Sequence, residues 1–349
     1  MLMLICVFTD EWVDYHLGLG FSDIYIYDNV DDSTPLLDWQ KNDRKGDNRI
    51  HVIPYPGDMV QVPVYKDCAR RVKRNGHTWV TFIDVDEFYV LKKHDNIIDF
   101  AKDHAAEGHV TVNWEMYGTS GRKTYELHPV TQRFECIHFT RRRAFVKSLI
   151  KVSTMGDIDE IRSPHIMPIA DGAERLDTSG IPVRMSRHEG PRYDHSYLCG
   201  SADLLFYSRS QLILTLASFP GLFFCGDVAV INHYYYRSHE EYIHKRKRGD
   251  VYYGNDAKLA NLTANAELGL DERGEPLPAG FKKDDTAWQI MRKNVPSYQQ
   301  YEDDPPKEQP QCSDEAPYAV AEKTEDTVAL CAITKDQTWY GKCFVASIA

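Results

Sequence analysis

The chain has 349 residues and eight cysteines, yet no Cys-x-x-Cys pair. Structural zinc modules draw on such closely spaced thiolates, so a zinc ribbon or finger is excluded. Cys6 and Cys68 sit in apolar or helical surroundings and read as free buried thiols. Pairing among Cys312, Cys331 and Cys343 stays open. Long apolar runs are also lacking. The longest stretch, Leu212 to Ile231, is broken by Pro220, Gly221, Gly226 and Asp227, which suits strand-loop-strand better than a membrane span. Met1 to Phe8 has neither a basic flank nor a cleavage site, so it is expected to be a buried core strand rather than a signal peptide. Positive charge is in deficit: 41 Lys and Arg against 52 Asp and Glu leave a net charge of −11. A general nucleic-acid binder needs the opposite balance. The basic runs Arg141-Arg142-Arg143 and Lys245-Arg246-Lys247-Arg248 read as solvated faces. No internal repeat is apparent.

Apolar residues make up 42% of the chain, enough for one large α/β domain or a domain plus an appendage. Strand and helix signals alternate through the first two-thirds. After the strand at Met1–Phe8, a short helix is expected from Glu11, with Gly18 and Gly20 as stops. Strands are expected at Ile24–Tyr27, Ile50–Tyr55, Trp79–Ile83, Val110–Trp114 and Val228–Ile231. An amphipathic helix is expected over Val62–Asn75, because Val64, Cys68 and Val72 recur every four residues. A second is expected over Asn96–Ala106, with Asp95 as N-cap. Ser238 and Glu241 form a capping box before a helix that Gly249 closes. This order predicts a mainly parallel twisted sheet flanked by helices over residues 1–250. Residues 251–301 then form a helical and loop extension packed on it, and 302–349 an acidic, Pro-rich linker with a weakly ordered tail. The stretch 185–219 reads as an acceptor-side insertion.

Ligands of such sheets bind beyond the carboxyl ends of the strands. Asp28-Asn29 and Asp84-Val85-Asp86 both fall there. Asp84 and Asp86 point the same way in an extended chain, and two such carboxylates beside substrate phosphates can hold Mn²⁺ or Mg²⁺. An acidic turn capping the next helix is the plainer explanation of the same residues. His233, at the end of an apolar strand, could complete the metal shell. Arg237, just before the capped helix, would favour an anionic ligand. Trp114, Tyr117 and Gly118 combine aromatic faces with a turn, as a sugar-binding segment would. Glu115 is the first candidate for a general base and Asp227 the second. Lys147 is a lone cation inside an apolar strand and could pair with a diphosphate.

These pieces occur together in an order that resembles glycosyltransferase family 92 and related family-2-like transferases. The matching runs are Glu11-Trp12-Val13-Asp14-Tyr15-His16, Ile24 to Asn29, Asp84 to Phe88, Asn113-Trp114 with Tyr117-Gly118, Lys147-Ser148, Pro164-His165, and His233 to Gly249. The resemblance implies a GT-A fold, a UDP-sugar donor, galactose foremost, and a glycan or other hydroxyl acceptor. It also implies Mn²⁺ held through Asp-x-Asp, transfer with inversion, and a place in the Golgi or secretory pathway. Carried over, Asp84, Asp86 and His233 would bind metal, with Asp28, Asn29, Lys147 and Arg237 on the donor and Trp114, Tyr117 and Gly118 on the acceptor. Thr9 and Asp10 would line the nucleotide loop. Family members have a longer loop before the Glu-Trp helix than Phe8-Thr9-Asp10 provides. Asn261-Leu262-Thr263 is a glycosylation sequon, relevant in the secretory path. Two rivals are a phosphatase of the haloacid-dehalogenase type and a non-catalytic carbohydrate-binding protein. The first wants its Asp-x-Asp on the first strand and a small residue two positions on, and here Glu87-Phe88 follow.

Overall fold

A computed structural model describes residues 2–57, 59–138, 145–163, 165, 167–180, 182–183, 226–248, 258–271, 274–307 and 309–313. The expected insertion at 185–219, the Arg141–Arg143 run, Cys331 and Cys343 lie outside them.

The N-terminus departs from expectation. The expected strand is absent over residues 2–8; Leu2–Gly18 is one helix, α1. An eight-residue apolar run does not distinguish a strand from a buried helix, and no Gly or Pro interrupts the chain before Gly18. Next come β1 (Ile24–Asp28), α2 (Thr34–Asp38), β2 (Ile50–Pro54), α3 (Gln61–Arg74), β3 (Trp79–Thr81), β4 (Glu87–Leu91) and α4 (Ile97–His104). Then follow β5 (Gly108–Met116), α5 (Val130–Arg133), β6 (Cys136–Ile137), β7 (Val146–Lys151), β8 (Glu174–Asp177), β9 (Ala229–His233) and α6 (His239–Arg248). The described chain ends with α7 (Lys258–Glu267), β10 (Lys282–Lys283), α8 (Thr286–Asn294) and α9 (Gln300–Asp303).

The α/β character holds, but the sheet is mixed rather than mainly parallel. Its order is β3-β7-β5-β9-β4, with β8 beside β5. β3–β7, β7–β5 and β9–β4 run antiparallel; β5–β9 and β5–β8 run parallel. β1 and β2 form a separate parallel pair, in register from Ile24↔Ile50 to Asp28↔Pro54. Strand spacing with intervening helices suggested parallel pairing, yet β7 pairs antiparallel with both β3 and β5, and β9 pairs antiparallel with β4.

β4 lies at the end of the sheet and α1 covers its free edge. Trp12 Nε1 donates to the Glu87 carbonyl at 2.9 Å, Tyr15 Oη to the Tyr89 carbonyl at 2.8 Å, and the Tyr89 amide points at His16 Nε2 at 3.5 Å. Spacings of three and four residues place these side chains on one helical stripe. They satisfy backbone groups that an open edge would leave exposed. α3 buries Tyr65, Cys68, Ala69 and Val72 against Phe82, Ile150 and Val152. α4 has Asn96 rather than Asp95 as its N-cap, accepting from the Asp99 amide at 2.9 Å. The expected capping box is present: Glu241 donates its amide to Ser238 Oγ at 3.3 Å and accepts the Ser238 amide at 3.2 Å.

The C-terminal part is fastened to the domain. Trp288 and Met291 of α8 enter the main core, and β10 pairs with β6. Cys312 forms a disulfide with Cys136. Cys68 is a buried free thiol, as expected. The sequon falls on α7. Among the described residues, no helix is long and apolar enough to cross a membrane.

Candidate active site

Asp84, Val85 and Asp86 make a tight turn between β3 and β4. The Glu87 amide donates to the Asp84 carbonyl at 3.0 Å, and Glu87 Oε2 accepts the Asp84 amide at 3.0 Å. The turn leaves Val85 exposed and delivers Asp84, Asp86 and Glu87 toward one face of the sheet. Strand alternation and register place Lys147 of β7, Trp114 of β5 and His233 of β9 on that same face.

The two aspartates are held separately. Asp84 Oδ2 lies 3.2 Å from Lys147 Nζ, and its Oδ1 accepts from Gln61 of α3 at 3.3 Å. Lys147 is fully buried and also lies 3.4 Å from Glu87 Oε2. Asp86 Oδ2 lies 2.7 Å from Lys245 Nζ, and its Oδ1 lies 3.5 Å from His233 Nε2. Lys245 was expected on a solvated surface. Instead it returns after two helical turns to the stripe of Ser238 and Glu241, passes over the Tyr235 ring at 4.1 Å and reaches the site. Arg246 is likewise buried, over the rings of Tyr235 and Tyr242. Spacing from Ser238 carried the missing signal for Lys245, because 238, 241 and 245 share one helix face.

The charges bias one another. Burial pushes Asp84 up, but Lys147 and His233 outweigh it and hold the carboxyl below its ordinary range. Burial also opposes Asp86, and Lys245 and His233 take it well below. Glu87 goes the other way: burial raises it, Lys147 opposes, and Asp84 and Asp86 push it well above the usual range. Burial lowers Lys147, yet Asp84 and Glu87 raise it well above an ordinary lysine. Burial keeps His233 below the usual imidazole range despite Asp86. Arg237 adds a cation in the field of Asp86, and its backbone adopts φ +54°, a conformation rare for a residue with a side chain.

Three buried polar atoms of residues on this face have no hydrogen-bond partner within the chain: Glu87 Oε1, Trp114 Nε1 and His233 Nδ1. Buried polar atoms are almost always bonded, so such a cluster is a place where ligand or water belongs. Trp114 packs edge-on to His233 at 4.3 Å and touches Phe145 and His165.

Other expected residues fall elsewhere. Glu115 is one step along β5 from Trp114 and therefore faces the opposite side, level with Asn232. Tyr117, also on that side, accepts from Asn232 Nδ2 at 2.9 Å within the core. Gly118 serves close packing, since a Cβ there would lie 2.5 Å from the Ala279 backbone. Asp227 precedes β9 and is exposed at the strand's start, the end remote from His233. Thr9 and Asp10 belong to α1 rather than to a loop. Asp10 accepts from Trp39 Nε1 at 3.0 Å and lies 3.3 Å from Arg44. Asp28 and Asn29 stand half-buried at the carboxyl end of β1, linked to the cluster through α3. Tyr27 donates to Asp67 of that helix at 2.6 Å, and Gln61 of its first turn meets Asp84.

Two carboxylates and an imidazole are donors that Mn²⁺ or Mg²⁺ accepts. In the arrangement described, all four oxygens of Asp84 and Asp86 face partners from this chain, so an ion there would have to displace Gln61, Lys147 or Lys245. Among the described residues, no three His, Cys, Asp or Glu side chains converge to share one ion.

Residues 10–179 match the model of glycosyltransferase family 92, a segment that holds Asp84, Asp86, Trp114 and Lys147. Over that segment the chain is similar to glycosyltransferase family 92. It is 33% identical over 171 residues to a family 92 protein of Ricinus communis, covering 47% of this chain and 30% of that protein. It is 28% identical over 134 residues to one from Oryza sativa subsp. japonica, covering 37% of this chain and 22% of the relative. A family 92 protein of Arabidopsis thaliana is 28% identical over 142 residues, covering 37% and 24%. The matched part thus spans under a third of these relatives' length.

Proposed function

We propose that the chain transfers a hexose from a nucleotide-diphosphate sugar to a hydroxyl acceptor, with Asp84-Val85-Asp86 at the centre of the donor site. The observation that carries this reading is the cluster on one sheet face: Lys147, Lys245 and Arg237 around two ionised aspartates, with three unsatisfied buried polar atoms beside them. A departing diphosphate gathers negative charge, and preorganised cations in a water-poor pocket stabilise it as it forms. Lys147 is fixed by Asp84 and Glu87, so it can act without reorganising. Trp114 offers an aromatic wall beside His233 on which a sugar ring can rest.

The finer reading follows the family resemblance: UDP as the nucleotide, galactose as the first hexose to test, transfer with inversion, and dependence on Mn²⁺ or Mg²⁺ bound by Asp84, Asp86 and His233. Such an ion would supply Lewis-acid neutralisation of the diphosphate. Asp84→Asn and Asp86→Asn should each lower transfer from a UDP-hexose by a hundredfold or more, on the scale of removing one preorganised charge partner. Product formation across UDP-sugar donors, with and without divalent cation, is the measurement. Wild-type transfer by both variants would refute the site.

A further inference from the structure

We propose that Lys245 is a tethered counter-ion that occupies the cation position on Asp86, so that Lys245 and a divalent metal bind Asp86 in mutual exclusion. The proposal rests on the donor-site reading above only for the purpose it gives the lysine.

The geometry supports it directly. The Lys245 ammonium lies 2.7 Å from Asp86 Oδ2, on one of the oxygens a metal would need. It also donates to the Tyr235 carbonyl at 3.3 Å and sits over the Tyr235 ring at 4.1 Å, so three partners hold it. The helix that carries it is anchored at its start by the capping box, where Ser238 Oγ donates to Glu241 Oε2 at 2.6 Å. Glu241 is further locked by Arg133, at 2.8 Å. The lysine therefore starts from a fixed base and reaches the turn without a large search. An ammonium is a compact point charge, the kind of group that can stand where a small metal ion would.

Charge counting gives the second reason. Arg133 and Glu241 compensate each other, which leaves Asp84, Asp86 and Glu87 against Lys147, Lys245 and Arg237. These six described side chains, counted as ordinary ionised groups, balance to zero. A site already balanced resists two further positive charges until one resident cation leaves. Lys245, with its side chain 26% exposed, can swing out; Lys147, fully buried between two carboxylates, cannot. Displaced from Asp86, Lys245 would remain on its helix beside the site, free to contact the donor's phosphates.

The test is direct metal binding to the full chain. Mn²⁺ titrated calorimetrically should bind Lys245→Met at least tenfold more tightly than wild type, a difference of about 1.4 kcal/mol. Lys247→Met, which removes a surface lysine paired with Glu267, should match wild type. Undetectable binding to wild type with measurable binding to Lys245→Met supports the proposal equally. Equal or weaker binding by Lys245→Met, or no binding by either, overturns it. Circular dichroism confirms that the variant folds. Should it not fold, wild type decides the matter by amine acetylation and mass spectrometry. Acetylation of Lys245 should rise severalfold at high Mg²⁺ while Lys147 stays protected, and an unchanged Lys245 signal overturns the proposal. Wild-type transfer activity with equal metal affinities would sink the counter-ion and leave the transferase reading standing. A tenfold difference without transfer would do the reverse.

Discussion

His16 uses both ring nitrogens in the fold. Nδ1 lies 2.8 Å from the Trp12 carbonyl, which requires a proton on that nitrogen, and Nε2 faces the Tyr89 amide as an acceptor. Protonating Nε2 would set two donors against each other inside the core. Burial therefore drives this imidazole down from 6.5 to about 4, and burial does the same to His109. A lowered histidine pKa means the unfolded chain takes up the proton first. The stability is fully present above about 6.5 and is lost as pH falls toward about 4. At about 1.4 kcal/mol per pKa unit, His16 alone accounts for about 3 kcal/mol across that window. Thermal midpoints measured from pH 7 to 4 should fall steeply in wild type. They should fall less in His16→Gln, which starts less stable, with His109 supplying the remaining slope. Parallel curves for the two proteins would contradict this account. The sequence displayed His16 within the Glu-Trp run, but the same letters fit a helix of any exposure. Its chemistry depends on where β4 lies.

At the scale of elements, Glu11 shows how α1 organises distant chain. Its carboxylate accepts the Val130 amide at 2.6 Å, the Thr131 amide at 2.9 Å and the Thr131 hydroxyl at 2.7 Å. It thus satisfies the unpaired amides at the start of α5, a service normally given by a neighbouring residue. Glu11→Ala strands these buried donors, at about 1–3 kcal/mol for each lost partner. A loss of about 3 kcal/mol is expected, read as a lower urea midpoint at constant slope. Thr131→Val should cost less, because both amides keep their acceptor. Local elements were partly legible. The α3 pattern of buried residues and the Ser238–Glu241 capping box both follow from i to i+4 chemistry that tertiary context did not override. The helix over residues 2–8 was not legible, because a short apolar run satisfies a strand and a helix equally. Lys245 departs from the solvated face expected of its basic run, because the turn carrying Asp86 meets the helix on the side that Ser238, Glu241 and Lys245 share.

At the scale of the molecule, the Cys136–Cys312 bond closes a long stretch of chain and fixes the segment that crosses Ser120 and Gly280. Cross-links of such separation stabilise chiefly by restricting the unfolded chain, by about 2–5 kcal/mol. Cys312→Ser should lower the thermal midpoint accordingly, and a reducing agent should lower it in wild type but not in the variant. Equal response of both proteins to reductant would show that the bond carries no stability. Cys312 pairs with Cys136 and not with Cys331 or Cys343, the pairings left open above, since the tail sequence gave no sign that β6 lies alongside.

The sequence by itself determined the α/β class and the place of Asp84-Val85-Asp86 beyond the end of an apolar strand, and it marked Lys147, Trp114, His233 and Arg237 as polar groups set into apolar surroundings. These features are local, and each is written in a run of a few residues. Only the tertiary structure decided which of them meet. Strand alternation turned Glu115 to the far face, and the direction of β9 carried Asp227 to the far end. Antiparallel pairing within a mixed sheet brought β7 and β9 beside the turn, and a lysine two helical turns away became the closest partner of Asp86. Those outcomes depend on register and packing between distant segments, 63 residues apart for Lys147 and Asp84 and 159 for Lys245 and Asp86, and no short run of sequence contains them.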